Sequence, residues 1–347
     1  MSKWLDSNQV DRLFMIQKVA EKKNIEEVSV EKDWWVSIIL KAIFSTRAAE
    51  YMYFKGGTSL SKAWDLINRF SEDIDIALYR DFFSKEERKD FTECESKSQR
   101  ERLRKIARRY VVGEFKEDLD CKLHSMGLDG FKIDSVTTLM TSNGNRNIDS
   151  DKDPTVINII YKSIISKPSD YIEPKVKIEV SCLSMKEPFE TMRISSMISE
   201  LFEGEDDDTI SEIKTISPSR TFLEKAFLLN EEYQKNNPRT ERMSRHLYDL
   251  ECLMDTCYAK SALSDRTLYD AIIAHREKFY HLKGVDYSQN KPECIAFCPI
   301  GDLLSKMEKD YNQMKSSFIY GTPLSFSDLI DRIAELQNRF RALSTPK

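Results

Sequence analysis

The sequence has no excess of positive charge, no framework of paired cysteines and no long apolar run. Its 53 Lys and Arg residues against 58 Asp and Glu residues give a net charge of -5, which excludes a global cationic field toward nucleic acid or membranes. The 7 cysteines are odd in number and scattered, so reduced thiols are expected rather than disulfides. The most apolar stretch, residues 34–44, is broken by Ser37 and Lys41, and the first residues lack the apolar segment of a signal peptide. We therefore expect a cytoplasmic protein with no membrane partner, in which any polyanion binds a local basic patch.

The apolar content is sufficient for two folded domains. Hydrophobic residues make up 40% of the 347 residues, with 18 Phe, 14 Tyr and 4 Trp, which excludes wholesale disorder. At roughly 150 residues per domain, two domains are expected. Helical spacing opens the chain and returns after Ser217-Pro218, whereas residues 156–165 and 176–183 have the Val and Ile content of strands. The sequence predicts an α/β (α+β) fold with a mixed-sheet domain and a helical-bundle domain that closes over the cleft, at 1–215 and 216–347.

Two polar stretches are predicted to be exposed loops. Residues 142–153 are rich in Ser, Asn, Gly and Asp, the residue types that form turns. Residues 203–208 form an acidic run, and such runs are usually solvated.

A pair of glycines stands between a strand pattern and a helix pattern. Aromatic residues at 51–55 predict a strand that ends at Gly56-Gly57, and Leu60, Trp64 and Ile67 then recur at helical spacing. Glycines in such a turn let the backbone approach a ligand closely, and the helix start that follows favours a phosphate. By itself the pattern is more often that of an ordinary turn than that of a phosphate site. The phosphate-binding candidates are Gly56, Gly57, Thr58 and Ser59.

An alternating stretch at residues 71–78 predicts a strand with two acids on one face. Asp73 and Asp75 are two residues apart, so both carboxylates point to the same side. Carboxylate oxygens are the ligands of hard cations such as Mg²⁺ or Mn²⁺. An Asp-x-Asp strand alone is a weak signal, but a preceding strand, Gly-Gly turn and helix make it much stronger.

The strand pattern at 176–183 supplies a third acid. Glu179 shares a face with Lys177, opposite the apolar residues of the same strand, and can point to the same site as the two aspartates. A third carboxylate would serve a second metal ion or activate an attacking hydroxyl. The alternative is that Glu179 only pairs with Lys175 or Lys177 at the surface.

These motifs together resemble a known family. Residues 54–78 (FKGGTSLSKAWDLINRFSEDIDIAL) look like the signature of the AbiEii/AbiGii toxin family, a bacterial branch of the DNA polymerase β-like nucleotidyltransferase superfamily. Residues 30–36 (VEKDWWV), 219–229 and 244–253 agree with it. The resemblance implies a polymerase β-like core and a nucleoside triphosphate (NTP) held by the Gly56–Ser59 turn. It also implies Mg²⁺ or Mn²⁺ on Asp73 and Asp75, with Glu179 as the third acid.

The resemblance further implies that the helical domain contacts the nucleotide. It assigns Lys225 and Asp249 to that role, and Lys62, Arg245 and His246 are added as nucleotide-binding candidates. The residues themselves allow simpler interpretations: Lys225 as a solvated lysine, and Asp249 as the helix partner of Arg245. A lone histidine such as His246 is more often structural than a proton carrier.

One local basic patch is present, between residues 97 and 109. Leu103, Ile106 and Tyr110 give this stretch an apolar stripe, which predicts a docked helix with a cationic outer face. Such a face suits the phosphates of an RNA, although a solvated helix or a site for an acidic partner protein remain alternatives. The RNA-binding candidates are Arg100, Arg104, Lys105 and Arg108.

The combined expectation is an NTP-dependent nucleotidyltransferase. It would move a nucleoside monophosphate to an acceptor hydroxyl, and the family resemblance implies a tRNA 3′ end as acceptor and a growth-inhibiting toxin with a cognate antitoxin. Two alternatives keep part of this function: transfer to a protein or small molecule, and an NTP- or RNA-binding module without catalysis.

Overall fold

The computed structural model describes residues 3–87, 90–91, 93–141, 144–150, 152–166, 172–185 and 188–344. They form two compact units. The sheet unit comprises the described residues up to Ala63 and from Ser71 to Ile216. The helical unit comprises Trp64–Phe70 and the described residues from Ser217 onward.

A seven-stranded mixed sheet is the centre of the sheet unit. Its strand order is β3-β6-β7-β2-β1-β9-β8, and β4 pairs with β5 in a separate hairpin. Neighbours β2 and β7 run parallel, as do β1 and β9, and the other neighbours are antiparallel. This mixed sheet confirms the predicted fold class. The strands are β1 (Met52–Lys55), β2 (Asp73–Leu78), β3 (Phe131–Ser135), β4 (Thr138–Thr141), β5 (Gly144–Asn147), β6 (Thr155–Tyr161), β7 (Lys175–Ser181), β8 (Phe189–Ile194) and β9 (Ser211–Ile216).

Helices surround this sheet. Ser96 and Gln99 form a capping box that begins the basic helix α6, and a π-helical turn over Val111–Phe115 joins it to α7. The helices of this unit are α1 (Lys3–Asp6), α2 (Gln9–Lys23), α3 (Glu27–Ile43), α4 (Gly56–Lys62), α5 (Arg80–Glu87), α6 (Lys97–Tyr110), α7 (Lys116–Ser125) and α8 (Met197–Leu201).

Helix α3 covers one face of the sheet. Fourteen of its 17 residues are buried, because it packs against β2, β7 and β9. Trp35 stacks on Tyr161 of β6 with ring centroids 4.7 Å apart. Ile74 and Ile178, which are register partners, are fully buried, and each such side chain contributes about 1.5–3 kcal/mol relative to exposure. Helix α3 therefore covers the apolar face of β2 and β7. Because side chains alternate along a strand, the acids of these strands lie on the opposite face.

The helical unit has its own aromatic core. Phe340 packs on Phe222 and Phe297, with ring centroids 5.5 and 5.1 Å apart. As predicted, Pro218 occupies the first turn of a helix that follows Ser217. The helices are α9 (Pro218–Tyr233), α10 (Ser244–Leu253), α11 (Cys257–Ser264), α12 (Arg266–Phe279), α13 (Asp302–Ser317) and α14 (Phe326–Arg341). None of the described helices is both long and apolar enough to cross a bilayer.

Residues 64–70 leave the sheet unit between α4 and β2 and join the helical unit. The Phe70 amide donates to the Phe318 carbonyl (2.7 Å), and the Tyr320 amide donates to the Asn68 carbonyl (2.8 Å). The predicted helix through Trp64 and Ile67 is therefore wrong beyond Lys62. Within the helical unit Ile67 is buried, and the half-buried Trp64 lies edge-on to Tyr258.

Two expected loops differ in part. Residues 203–208 lie outside the helices and strands, as predicted, but not all of them are solvated. Asp206, in the acidic run, is fully buried. It accepts hydrogen bonds from Ser196, from the indole Nε1 of Trp34 (3.2 Å) and from Thr209 (2.8 Å), and burial raises its pKa. These donors make burial of the carboxyl possible. Residues 144–147, expected in a loop, form strand β5; 142, 143 and 151 lie outside the described residues.

Candidate active site

The parallel pairing of β2 with β7 brings the three predicted acids together. In this register Asp75 lies opposite Glu179, and Asp73 lies opposite Lys177. Register partners in a sheet point to the same face, so the three carboxylates share a single patch with the ammonium group of Lys177. The side chains of Asp73 and Glu179 are 24% and 26% exposed, so they are accessible to a ligand.

Lys177 lies among these acids as an internal cation. Its Nζ is 3.7 Å from Oδ2 of Asp73 and forms an ion pair with Glu179. Burial alone would lower the pKa of Lys177, but Asp73, Glu179 and Asp75 outweigh burial and raise it. Glu179 therefore forms the ion pair with Lys177 that the sequence left as an alternative, and it also lies opposite Asp75. An ammonium group held here shows that the patch attracts positive charge, as a hard-cation site requires.

Gly56 brings the backbone into contact with this patch. Lys55, just before it, is the register partner of Asp75. Gly56 has φ +80°, and a Cβ at this position would lie 2.0 Å from Oδ2 of Asp75. The chain turns here from β1 into α4, so only glycine combines this backbone angle with so close an approach.

Gly56→Ala is expected to abolish the geometry of the acidic patch. The left-handed backbone costs about 1–2 kcal/mol for alanine, and in addition the new methyl group displaces the Asp75 carboxylate. Gly204→Ala is the matched control, since Gly204 has φ +76° but no atom within 4 Å of a Cβ. Thermal unfolding should show a loss in both variants, and a larger one in Gly56→Ala because of the added steric clash, whereas nucleotide transfer should fall only in Gly56→Ala. Equal activity of the two variants would contradict this role.

The hydroxyls after the glycines are bonded within the protein. Thr58 donates to the Asp73 carbonyl and lies 2.8 Å from the Ser71 hydroxyl. Ser59 donates to the Gly56 carbonyl at 2.9 Å. Both side chains are buried. They hold α4 and the start of β2 in place, so a ligand at this turn would meet backbone and carboxylates.

A second cluster lies in the helical unit, around the fully buried Asp249. Arg69 donates to both carboxylate oxygens, from Nε at 2.7 Å and from Nη2 at 2.8 Å. Lys225 Nζ is 2.7 Å from Oδ2. Lys225 is only 7% exposed, so the interpretation as a solvated lysine is wrong. The structure brings together the Lys and Asp that the resemblance assigned to the nucleotide.

Charges in this cluster perturb one another. Burial would raise the pKa of Asp249, but Arg69 and Lys225 outweigh it and hold that pKa well below its usual range. Burial, followed by the positive charges of Lys225 and Arg245, lowers the pKa of His246 well below its ordinary value. His246 is therefore neutral at pH 7, and its Nδ1 has no hydrogen-bond partner in the described part of the chain.

Arg69 is a site residue that the sequence patterns missed. It occupies the 64–70 segment, which was predicted to continue a helix. The available signal was a single arginine between Ile67 and Phe70 in an apolar stretch, since a cation among buried side chains implies a buried acid.

A protein-family model matches most of the chain. The family model described as "Nucleotidyl transferase AbiEii toxin, Type IV TA system" matches residues 38–333. The chain belongs to this family. It is therefore a nucleotidyltransferase and a toxin of a type IV toxin-antitoxin system. Among solved structures it is similar to MenT4, a nucleotidyltransferase toxin from Mycobacterium tuberculosis, at 12% identity and a TM-score of 0.43, over 98% of this chain and 100% of that chain. No curated protein matches.

Lys62 of the toxin is bonded inside the sheet unit. Its Nζ lies 2.5 Å from Oδ1 of Asp33 and 2.9 Å from the Ser195 carbonyl. The two side chains are 8% and 9% exposed. Asp33 also accepts a hydrogen bond from the Met197 amide at 2.7 Å. Lys62 thus joins α4 to α3 and the start of α8, and its ammonium group is already engaged.

The basic helix α6 of the toxin divides its cations between two sides. Arg100 turns back to donate to the Cys94 and Glu95 carbonyls at 3.0 and 2.7 Å. Arg104 is half-buried; its positive charge acts on the buried Cys182 thiol, whose pKa burial nevertheless raises well above its ordinary value. The outer side lines a groove of about 400 Å³ formed by Glu87, Ser98, Glu101, Arg102, Lys105, Ile106 and Arg109. Of the four RNA-binding candidates, the structure places Lys105 in this groove.

Proposed function

We propose that this toxin transfers a nucleoside monophosphate from an NTP to a hydroxyl at an RNA end, with a tRNA 3′ end as the expected acceptor and Mg²⁺ as the cofactor. The observation that supports this best is the placement of Asp73, Asp75 and Glu179 on adjoining strands around Lys177. A cognate antitoxin is the expected protein partner of such a toxin.

The acidic patch suits the metal ion that such a reaction needs. Asp73 and Asp75 offer the carboxylate oxygens that Mg²⁺ or Mn²⁺ prefers. Within the described ranges, no three Asp, Glu, His or Cys side chains already surround one metal position. The two aspartates would therefore hold the ion together with nucleotide and water oxygens. When bound, the ion would stabilise the charge that develops on the phosphates.

The side chains have separate tasks in the transfer. The acceptor oxygen forms a bond to the α-phosphorus, the bond from that phosphorus to the bridging oxygen of the β-phosphate breaks, and pyrophosphate leaves. Glu179, which forms an ion pair with Lys177, would accept the proton of the attacking hydroxyl.

Labelled nucleotides test this function directly. Purified protein is incubated with Mg²⁺, total cellular RNA and each α-³²P-labelled NTP separately, and the products are separated on a denaturing gel. We expect a tRNA-sized labelled band with at least one NTP, lost after RNase treatment and lost with EDTA. A labelled product that resists RNase would identify a protein as acceptor instead. No labelled product with any NTP would overturn the proposal.

The outer side of α6 is the proposed RNA-binding surface. Arg102 and Lys105 are exposed one helical turn apart and line the groove, and two cations at this spacing match consecutive phosphates. Arg102→Glu combined with Lys105→Glu should lower RNA affinity by about tenfold or more. The slope of log affinity against log salt concentration should become shallower by about two, one for each lost phosphate contact. Fluorescence anisotropy with labelled tRNA at several salt concentrations measures both.

Lys18→Glu combined with Lys22→Glu is the matched control. These lysines are exposed four residues apart on α2, so the pair changes net charge by the same amount. We expect this control to bind RNA nearly as the wild type does. An equal loss in both double variants would mean that only the overall charge matters and would exclude α6 as the surface.

A further inference from the structure

Helix α3 carries three consecutive charged residues that are all buried. As whole residues, Glu31 is 5% exposed, Lys32 is 2% exposed and Asp33 is 7% exposed. Burying a charge is costly unless it is paired and hydrogen-bonded. The three side chains accordingly reach three different parts of the sheet unit, and Asp33 was described above as the partner of Lys62.

Lys32 contacts the segments that lead into both acidic strands. Its Nζ lies 2.6 Å from Oε2 of Glu72, which directly precedes Asp73 at the start of β2. The same Nζ donates to the carbonyl of Glu173 at 3.2 Å, two residues before β7 begins at Lys175. One ammonium group therefore bridges the entrances of the two strands.

The position of these entrances matters for the acidic patch. Because β2 and β7 are parallel, both strands begin at the same edge of the sheet, where Lys32 lies. A slip of one residue would move Glu179 along the strand by about 3.3 Å and turn it to the other face. Holding both entrances on one cation opposes such a slip.

We propose that Lys32 is a positioning residue that keeps the carboxylates of β2 and β7 in register for the divalent cation. This inference depends on the proposed function, since it gives the acidic patch its metal-binding role. Within the part of the chain that the structure describes, Lys32 forms no hydrogen bond or ion pair with Asp73 or Glu179; it acts through Glu72 and the Glu173 carbonyl. Groups that orient metal ligands from outside typically change metal affinity by about 10–100-fold when removed.

Two variants test this role: Lys32→Met, and Lys32→Met combined with Glu72→Gln. The double variant removes both members of the Lys32–Glu72 ion pair, so that neither is left as an unpaired buried charge. Binding of Mn²⁺ alone is followed by electron paramagnetic resonance, and KM for the NTP and kcat are measured separately. We expect the double variant to fold, to bind Mn²⁺ about tenfold more weakly and to lose kcat more than KM. A double variant with wild-type Mn²⁺ affinity and kcat would overturn the inference.

Glu31→Gln is the matched control on the same helix. Glu31 accepts from the Ser163 hydroxyl at 2.6 Å and the Ile164 amide at 2.7 Å, beyond β6 rather than at β2 or β7. We expect it to keep wild-type Mn²⁺ affinity, and an equal loss in Glu31→Gln would make the effect a general one of α3.

Hydrogen exchange separates this inference from the proposed function. The Lys32 variants should speed amide exchange at the starts of β2 and β7, and Glu31→Gln should not. A wild type that neither binds Mn²⁺ nor transfers nucleotides would overturn the proposed function. Unchanged amide exchange in the Lys32 variants would overturn the positioning role.

Discussion

Asp73→Asn combined with Asp75→Asn is expected to lower nucleotide transfer by at least about 10³-fold and to remove growth inhibition when the toxin is expressed. A metal ion contributes several kcal/mol of charge stabilisation in the transition state, and each 1.4 kcal/mol or so corresponds to a factor of about ten in rate. The amides keep the shape of the carboxylates but lose the charge that binds a cation. Single-turnover assays with the preferred NTP measure the loss.

The fold of this double variant should persist, because the two side chains lie on the polar face of the sheet and not in the core. Asp134→Asn combined with Glu190→Gln is a suitable control, since it removes two acids from the edge strands β3 and β8 of the same sheet. We expect the control to transfer nucleotides at close to the wild-type rate. Undiminished growth inhibition by the Asp73 and Asp75 variant would refute the mechanism.

Asp249→Ala is expected to destabilise the helical unit by about 3–5 kcal/mol, the loss typical of breaking a buried ion pair. The change leaves the buried cations Arg69 and Lys225 without the carboxylate that both contact. Guanidinium unfolding followed by circular dichroism measures the shift. Because the pKa of Asp249 is held well below its usual range, its stabilisation is complete above the ordinary pKa of 3.8 and falls only as the pH drops below it.

The difference between wild type and Asp249→Ala should therefore stay constant from about pH 5 to pH 8. Glu251→Gln provides the comparison on the same helix. Glu251 is 19% exposed and pairs with Arg332 at 3.3 Å, and removing a partly exposed pair should cost only about 1 kcal/mol or less. Equal losses in the two variants would show that Asp249 does not hold the cluster together.

Local patterns were sufficient to predict which face of a strand the acids occupy. Alternation alone placed Asp73 with Asp75, and Glu179 with Lys177, as the structure has them. Alternation cannot determine which strands become neighbours or in which register, because pairing depends on contacts distant in sequence. The pairing of Asp75 with Glu179 therefore required the structure.

Side chains whose partners lie outside the local pattern were predicted less well. Asp206 looked solvated in an acidic run, but its donors Trp34 and Ser196 make it a buried acceptor. Arg100 looked outward on a cationic helix, but it folds back on carbonyls of the preceding turn. In each case a hydrogen-bond partner outside the local pattern decided the outcome.

The excursion of residues 64–70 into the helical unit has a consequence for synthesis on the ribosome. Arg69 and Asp249 are 180 residues apart, so translation at about 5–20 residues per second separates their emergence by roughly 10–35 s. The hydrogen-bond partners of Asn68 and Phe70, which are Tyr320 and Phe318, are synthesised later still. The nascent chain thus completes β2 before the preceding segment has any of these partners. A chain released early from the ribosome lacks the cluster around Asp249. The packing of residues 64–70 in the helical unit therefore forms only near the end of translation.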